Sequence, residues 1–263
     1  MPSASRIKKG FDELRKRGVK AFIPYVMCGD PTLEKTEEMV RILEEAGADM
    51  IELGVPFSDP LADGPVIQAA ATRALAAGVN LRTAIDFVGR IRQRTGLPLI
   101  LMTYYNPVFR YGLESFSVDA ARAGVDGVIV PDLPVEEAGG LIKSARRHGM
   151  DTIFLAAPTS GEERLKKVAR ASRGFIYFVS MTGITGARLE VSGGLSASVS
   201  KLREFSGGRP VAVGFGVSTP EEAAMVAGLA DGVIVGSAIV KKAAGGSAAE
   251  LSDYLKKLRA AIR

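Results

Sequence analysis

Cysteine, histidine and tryptophan are nearly absent from this chain of 263 residues, which has one cysteine, one histidine and no tryptophan. With Cys28 alone, the protein has no intramolecular disulfide, no zinc site built on cysteines and no CxxC redox pair. The single histidine, His148, lies in RRHGMD, which is typical of a helix end away from any site. We therefore predict no metal site and no Ser-His-Asp triad. If the protein is an enzyme, carboxylates, hydroxyls and backbone groups must carry its chemistry.

The sequence also lacks apolar runs near the roughly 20 residues needed to span a bilayer, so we expect no membrane association. The N-terminal segment MPSASRIKKGFDELRKRG has basic residues but no apolar stretch after them, so it does not have the form of a secretory signal. Asp12 and Glu13 interrupt the pattern of a transit peptide. These absences predict a cytoplasmic protein.

Acidic residues are slightly outnumbered, 29 against 34 lysines and arginines, which leaves a net charge of +5. The excess lies in the terminal segments, at Arg15-Lys16-Arg17 and Lys256-Lys257-Arg259, and no aromatic residues are interleaved with it. Surfaces that bind nucleic acid usually combine a basic groove with stacking aromatic side chains or a recognised motif. We therefore predict solvated helix faces and no nucleic-acid partner.

One local pattern recurs along the chain: a glycine, an aspartate a few residues later, and then a short apolar run. It occurs as EAGADMIELG at 45–54, RAGVDGVIVP at 122–131 and AGLADGVIVG at 227–236, with a weaker copy, HGMDTIFLAA, at 148–157. Glycine suits the left-handed cap that ends a helix. An apolar run with little alternation is typical of a parallel strand buried on both faces. The pattern therefore predicts a repeated junction between a helix and a strand.

Eight strands are predicted, at residues 20–26, 49–53, 98–103, 126–130, 151–156, 175–180, 210–214 and 232–236. Asp30-Pro31 and Thr219-Pro220 have the form of helix starts, and residues 4–17 form an additional amphipathic helix before the first strand. Because strands and helices alternate along the chain without a linker, we predict an α/β fold, namely a single (β/α)8 TIM barrel with an extra N-terminal helix. Residues 1–263 would form one catalytic domain. A doubly wound open sheet is the alternative, but no GxGxxG follows the first strand.

In such barrels the catalytic residues lie at the C-terminal ends of the strands and in the loops that follow them. The second predicted strand leads into the segment ELGVPFSDPLADGP at 52–65. Glu52 interrupts a strand that should be buried on both faces, and it is either a general acid/base or a structural carboxylate that accepts hydrogen bonds. Asp63 lies eleven residues further on, in a loop restricted by three prolines. It is either a second catalytic carboxylate or a helix cap or turn residue.

Glycines follow the last two predicted strands, as Gly214 and Gly216 after the seventh and Gly236-Ser237 after the eighth. They permit either a phosphate bound by backbone N–H groups and a helix N-terminus, or merely tight turns. Two clusters on adjacent strands favour phosphate. The loop at 181–194 is rich in glycine and hydroxyl residues, which is typical of a lid, although a surface loop without a role is the alternative.

These segments together resemble the tryptophan synthase alpha chain family, in order and over nearly the whole chain. The strand-two segment is the most specific. The other matching segments are FIPYVMCGDP (22–31), LMTYYNP (101–107), VIVPDLPVEE (128–137), FVSMTGITGAR (178–188), VAVGFGVSTPE (211–221) and DGVIVGSAIV (231–240).

The resemblance implies a lyase that cleaves indole-3-glycerol phosphate to indole and glyceraldehyde 3-phosphate in an α2β2 complex. Glu52 and Asp63 would be the catalytic pair, with Glu52 moving protons and Asp63 stabilising positive charge on the indole ring. No cofactor is implied for this chain, and pyridoxal phosphate is expected only in the beta chain, which receives the indole for tryptophan biosynthesis.

The resemblance also assigns residues to four further groups. The indole pocket would be lined by Tyr25, Ile129, Tyr177 and Phe215, with Tyr25 where some members have phenylalanine. Thr185 would be the lid residue that contacts Asp63. The phosphate would be bound by Gly186, Gly216, Gly236 and Ser237. Asp59 and Asn106 would face the beta chain.

Three other functions remain as alternatives. A self-sufficient lyase that releases free indole would share all of these residues, so the sequence separates it poorly. A non-catalytic subunit that only binds and regulates its partner is disfavoured by intact Glu52 and Asp63. A different sugar-phosphate enzyme, such as an isomerase, is disfavoured by the strand-two segment.

Overall fold

The structure, a computed structural model, describes residues 5–179, 191–214 and 216–263 and, of residues 191–193, the backbone alone. In these ranges the strands are β1 Ala21–Met27, β2 Ile51–Gly54, β3 Leu99–Met102, β4 Gly127–Ile129, β5 Asp151–Ile153, β6 Leu155–Ala156, β7 Ile176–Val179, β8 Val211–Gly214 and β9 Gly232–Val235. The helices are α1 Arg6–Lys16, α2 Leu33–Glu45, α3 Pro65–Ala76, α4 Leu81–Ile91, α5 Tyr105–Tyr111, α6 Leu113–Ala123, α7 Gly139–Arg147, α8 Glu162–Ala171, α9 Val191–Ser206, α10 Pro220–Leu229, α11 Ser237–Gly245 and α12 Ala248–Ala261.

The strands form one parallel sheet in the order β5-β4-β3-β2-β1-β9-β8-β7-β6. Its two ends, β5 and β6, are consecutive in the chain and separated only by Phe154, so the sheet curls into a barrel. The single strand predicted at 151–156 is thus two segments, of which β5 pairs with β4 and β6 with β7. The switch occurs at Phe154, whose carbonyl accepts a hydrogen bond from the Tyr177 N–H at 3.1 Å. Eight strand positions around the ring confirm the predicted (β/α)8 barrel and exclude the open sheet.

Helix α1 closes the N-terminal end of the barrel. The Ser5 hydroxyl caps it by accepting a hydrogen bond from the Lys8 N–H at 3.1 Å. Its apolar stripe, Ile7, Phe11 and Leu14, is buried in the same cluster as the inward-facing strand residues. The rings of Phe11 and Phe175 lie 5.7 Å apart between centroids. In the part of the chain that the structure describes, this end of the barrel is therefore filled with apolar side chains.

The repeated aspartate of the junction pattern fixes the alignment of neighbouring strands. Its carboxylate accepts a hydrogen bond from a backbone N–H at the start of an adjacent strand. The pairs are Asp49 with Phe22 (2.8 Å), Asp126 with Leu99 (2.9 Å) and Asp231 with Val211 (2.9 Å). In the weaker copy, Asp151 accepts instead from the Ser5 hydroxyl at 2.6 Å. The sequence repeat is therefore a hydrogen-bonding device at the N-terminal end of the barrel.

One of the two predicted helix starts is wrong. Asp30-Pro31 is a cis peptide, and α2 begins two residues later with Thr32 as its cap. The Asp30 carboxylate is unavailable as a cap because Arg73 donates two hydrogen bonds to it, at 2.6 and 2.7 Å. The other predicted start, at Thr219-Pro220, is confirmed by a capping box between Thr219 and Glu222.

Among the described residues, no helix has both the length and the apolar content needed to cross a bilayer.

Candidate active site

A cavity of about 420 Å³ opens at the C-terminal ends of the strands. Its walls come from β1, β2, β3, β7 and β9, from the loop after β2, from the loop after β8 and from the start of α11. The described lining residues are Tyr25, Glu52, Ala62, Asp63, Gly64, Pro65, Val66, Ile67, Met102, Tyr177, Gly216, Val217, Ser218, Ile234, Gly236, Ser237, Ala238 and Lys241. The structure thus brings together residues that the sequence separates by more than two hundred positions.

Glu52 lies in the middle of β2, in register with Tyr25 on β1 and Ile100 on β3. Its side chain is 1% exposed, and neither carboxyl oxygen has a hydrogen-bond partner among the described residues. Burial, with a smaller contribution from the charge of Asp63, raises the Glu52 pKa from 4.5 to about 8. A carboxyl group with this pKa can donate a proton and take one back near neutral pH. A structural carboxylate held by hydrogen bonds finds no support in the described surroundings of Glu52.

Asp63 reaches the same cavity from the loop after β2 and is half-buried. Its backbone forms a turn, in which the Asp63 N–H donates to the Pro60 carbonyl at 3.1 Å. The cap of α3 is Gly64, so the Asp63 side chain is not used as a cap. Burial raises the Asp63 pKa, and a hydrogen bond with the Tyr104 hydroxyl opposes that rise. The turn is therefore real, but it leaves the carboxylate free to face the cavity.

Tyr104 positions this loop, a role that the sequence analysis missed. It follows β3 and is buried, and its hydroxyl accepts a hydrogen bond from the Ala62 N–H at 3.0 Å. The same hydroxyl interacts with the Asp63 carboxylate, and burial together with that charge raises the Tyr104 pKa. The ring stacks on Phe57, with 5.2 Å between centroids. A tyrosine directly after a barrel strand is the signal that could have identified it.

Two buried tyrosines line the cavity, Tyr25 on β1 and Tyr177 on β7. The Tyr25 hydroxyl lies over Gly54 and the Tyr177 hydroxyl over Gly214, each on the next strand of the sheet. A Cβ atom at either glycine would overlap the tyrosine hydroxyl, so both strands must end in glycine for the rings to lie where they do. Burial raises the pKa of both tyrosines well above 10, so both hydroxyls are protonated.

The remaining predicted pocket residues have different locations. Ile129 is fully buried in the interior cluster of the barrel and does not line the cavity, whereas Met102 on the neighbouring strand does. Met102 could not be recognised from the sequence, since a methionine at the end of an apolar strand is more often a core residue. Thr185, Gly186 and Phe215 lie outside the described residues.

Where the cavity meets the start of α11 and the loop after β8, it is lined by Gly216, Ser218, Gly236 and Ser237. Gly216 has a φ of 85°, a conformation that favours glycine. Gly236 caps α11, and its carbonyl accepts hydrogen bonds from the Ile239 and Val240 N–H groups. The first N–H groups of a helix have no partner within it and point outward with a partial positive charge. This end of the cavity is therefore suited to an anion such as phosphate.

The predicted partner residues are exposed on the same face of the barrel. Asp59 lies in the loop after β2, where the Ser58 hydroxyl donates to its carboxylate at 2.6 Å, and Asn106 lies on α5 after β3. Each has a large exposed apolar neighbour: Leu61 is 91% exposed and Phe109 is 64% exposed.

The single histidine lies apart from the cavity lining. His148 caps the C-terminus of α7 and contacts the Glu114 carboxylate at 2.9 Å, away from the cavity lining. In the part of the chain that the structure describes, no group of three or more His, Cys, Asp and Glu side chains is placed to hold a metal ion.

Comparison with known proteins gives one family throughout. The profile of the tryptophan synthase alpha chain family matches residues 11–262. The chain is 52% identical to the tryptophan synthase alpha chain of Geobacter sulfurreducens over 259 residues, which covers 98% of each chain. It is 49% identical to the protein of the same name from Picosynechococcus over 261 residues, which covers 97% of this chain and 98% of that one.

Solved structures give the same result. Tryptophan synthase subunit alpha from Legionella pneumophila superposes with a TM-score of 0.90 at 37% identity, covering 99% of each chain. A chain of Mycobacterium tuberculosis tryptophan synthase superposes with a TM-score of 0.92 at 41% identity, again covering 99% of each chain. Sequence, fold and cavity agree over the full length, and the chain belongs to the tryptophan synthase alpha chain family.

Proposed function

We propose that Glu52 and Asp63 carry out the lyase reaction of this chain, the retro-aldol cleavage of indole-3-glycerol phosphate to indole and glyceraldehyde 3-phosphate. The observation that carries this proposal is the buried Glu52 carboxyl group, which has no hydrogen-bond partner among the described residues and shares a cavity with Asp63. Burying such a group lowers the stability of the fold. A buried carboxyl group with a raised pKa in a cavity is therefore a candidate catalytic residue.

Glu52 would move both protons of the reaction. In its neutral form it donates a proton to C3 of the indole ring, and the resulting carboxylate then takes the proton of the hydroxyl on the adjacent glycerol carbon. The bond between C3 and that carbon breaks, its electrons return to the ring, and the carbon becomes the aldehyde of the product. A pKa of about 8 keeps the protonated form dominant at neutral pH without making proton return difficult.

Asp63 would stabilise the positive charge that protonation places on the indole ring, by accepting a hydrogen bond from the ring N–H. Tyr104 supports this role by holding the loop through Ala62 and by favouring the charged form of Asp63. Asp63 and Glu52 thus act in different protonation states, because the described residues give Glu52 no hydrogen bond that would offset burial.

Substrate binding would follow the shape of the cavity. Tyr25, Tyr177, Ile129 and Phe215 are proposed to surround the indole, with Ile129 supporting the floor from inside the barrel. Gly216, Gly236, Ser237 and Gly186 are proposed to bind the phosphate at the N-terminus of α11. Thr185 is proposed to contact Asp63 from the lid. The support for this orientation is that the carboxylates of Glu52 and Asp63 and the N-terminus of α11 line the same cavity from different elements.

We further propose that the chain works with a tryptophan synthase beta chain in an α2β2 complex. Asp59, Asn106 and the exposed apolar side chains of Leu61 and Phe109 would form the contact surface next to the cavity. Exposed apolar groups of this size on one face are typical of an interaction site. We propose that residues 1–263 form one catalytic domain that works in the cytoplasm without a cofactor, and that pyridoxal phosphate belongs to the beta chain.

The proposed function is tested by measuring indole release from indole-3-glycerol phosphate by the purified chain, with and without a beta chain. Slow release that the beta chain accelerates strongly supports the subunit function. Fast release by the chain alone supports a self-sufficient lyase instead. No release in either case would contradict the lyase function, and release by a Glu52→Gln variant would contradict the assignment of Glu52.

A further inference from the structure

The cavity has one positive charge among its described lining residues, and it is Lys241. The carboxyl groups of the same lining belong to Glu52 on β2 and Asp63 in the loop after β2. Lys241 is exposed and makes no ion pair within the part of the chain that the structure describes. A lysine without an acidic partner, at the end of the cavity that is suited to an anion, has its charge available for a ligand.

The geometry of α11 fixes which lysine faces the cavity. Lys241 lies four residues after Ser237, so both side chains lie on the same face of the helix. Ile239 and Val240 are buried and anchor the helix against the barrel. The next residue, Lys242, is rotated away, and its ammonium group lies 4.9 Å from the centroid of the Tyr254 ring. Two adjacent lysines therefore differ in orientation, and only Lys241 lines the cavity.

A phosphate group needs more positive charge at this site than the backbone provides. The N-terminus of a helix contributes about half an elementary charge, whereas a phosphate monoester carries nearly two negative charges at neutral pH. The phosphate also enters a cavity that contains the Asp63 carboxylate. An ammonium group beside the helix N-terminus supplies the missing charge and directs the phosphate to that end of the cavity.

We propose that Lys241 is a substrate-binding residue, which contacts the phosphate group together with the backbone N–H groups at the start of α11. This inference rests on the proposed function for the identity of the ligand, a phosphate monoester joined to an indole ring. Lys241 would act on binding and orientation and would take no part in proton transfer.

The test compares Lys241→Ala with the matched control Lys242→Ala. The ligands are indole-3-propanol phosphate, which cannot be cleaved, and indole, which has no phosphate. We expect Lys241→Ala to weaken binding of the phosphate ligand about tenfold and to leave indole binding unchanged. Lys242→Ala should change neither. Added salt should weaken phosphate binding more in the wild-type protein than in Lys241→Ala.

In kinetic measurements Lys241→Ala should raise the KM for indole-3-glycerol phosphate and leave kcat nearly unchanged. Equal effects of the two alanine variants, or equal loss of phosphate-bearing and phosphate-free ligands, would overturn the proposal. Failure of the proposed function is distinguishable. If the wild-type protein binds indole-3-propanol phosphate but cleaves no substrate, the lyase function fails, while the two variants still decide the role of Lys241.

Discussion

The two ends of the barrel use the same kind of side chain in opposite ways. At the N-terminal end, Asp49, Asp126 and Asp231 each accept a hydrogen bond from a neighbouring strand and lie within 3.6 Å of an arginine nitrogen. At the C-terminal end, Glu52 has no hydrogen-bond partner among the described residues. Both kinds of carboxylate lie at or next to barrel strands. Paired carboxylates fix strand alignment, whereas the unpaired one keeps a proton near neutral pH and can carry chemistry.

The carboxylates at the two ends of the barrel differ because different elements cover them. Helix α1 covers the N-terminal end and brings polar partners such as Ser5 and Arg6, which contact Asp151 and Asp126. At the other end the loops leave a cavity, so Glu52 faces the space for a ligand and is given no hydrogen-bond partner by the described residues. Burial without partners is what raises its pKa to about 8.

The largest effect expected is the loss of activity in Glu52→Gln. Because general acid/base catalysis contributes about 10² to 10⁴ in rate, indole release should fall by roughly three orders of magnitude. Binding of indole-3-propanol phosphate should be nearly unchanged, since the amide has the same shape. Substantial residual turnover in a folded variant would show that Glu52 is no more functional than the paired carboxylates at the opposite end.

The matching change at the N-terminal end is Asp126→Ala, which should affect stability and leave chemistry intact. It leaves the half-buried Arg92 guanidinium and the Leu99 N–H without their carboxylate partner. Loss of one partner of a buried pair costs about 3 kcal/mol in the free energy of unfolding. Urea unfolding measures this cost, and the rate of indole release per folded molecule serves as the control. A stable variant with impaired catalysis would break the comparison.

A third prediction concerns the dependence of stability on pH. The Glu52 pKa is raised by folding, so the folded state binds the proton more tightly, and stability is lost as the pH rises from the unfolded pKa to the folded value of about 8. Between pH 5 and pH 8 the free energy of unfolding of the wild-type protein should fall by about 3 kcal/mol more than that of Glu52→Gln. Parallel urea titrations of both proteins at these pH values would measure the difference. Identical pH dependence would mean that Glu52 is charged in the folded protein.

The smallest expected effect is that of Tyr104→Phe, which removes the hydroxyl between Ala62 and Asp63. One net hydrogen bond is worth about 1 kcal/mol, so kcat/KM should fall by about fivefold to tenfold. Tyr105→Phe is the matched control, because Tyr105 is adjacent and its ring packs against Phe109 instead of the Asp63 loop. If both variants behave alike, the Asp63 loop is held by its own turn and prolines, and Tyr104 does not position it.

Much of the site could be predicted because it depends on residues next to strand ends. Glu52, Gly236 and Ser237 were found from an acidic residue in an apolar strand and from glycines after strands, and they line one cavity. Tyr104, Met102 and Lys241 were missed, since a tyrosine, a methionine and a lysine are common in loops, cores and surfaces. Position after a strand marks Tyr104 as a candidate, but the direction in which each of these three side chains faces is set by packing in the folded chain.

The alternation of helices and strands and the barrel could be predicted from the sequence, because they follow from local periodicity and from chain connectivity. The break of the fifth barrel strand at Phe154 was decided by the tertiary structure, since pairing changes there from β4 to β7. Folding also leaves Glu52 without a hydrogen-bond partner among the described residues, while three of the repeated aspartates accept hydrogen bonds from neighbouring strands. The physical reason is that hydrogen bonding and desolvation depend on neighbours from distant parts of the chain, and folding alone brings those neighbours together.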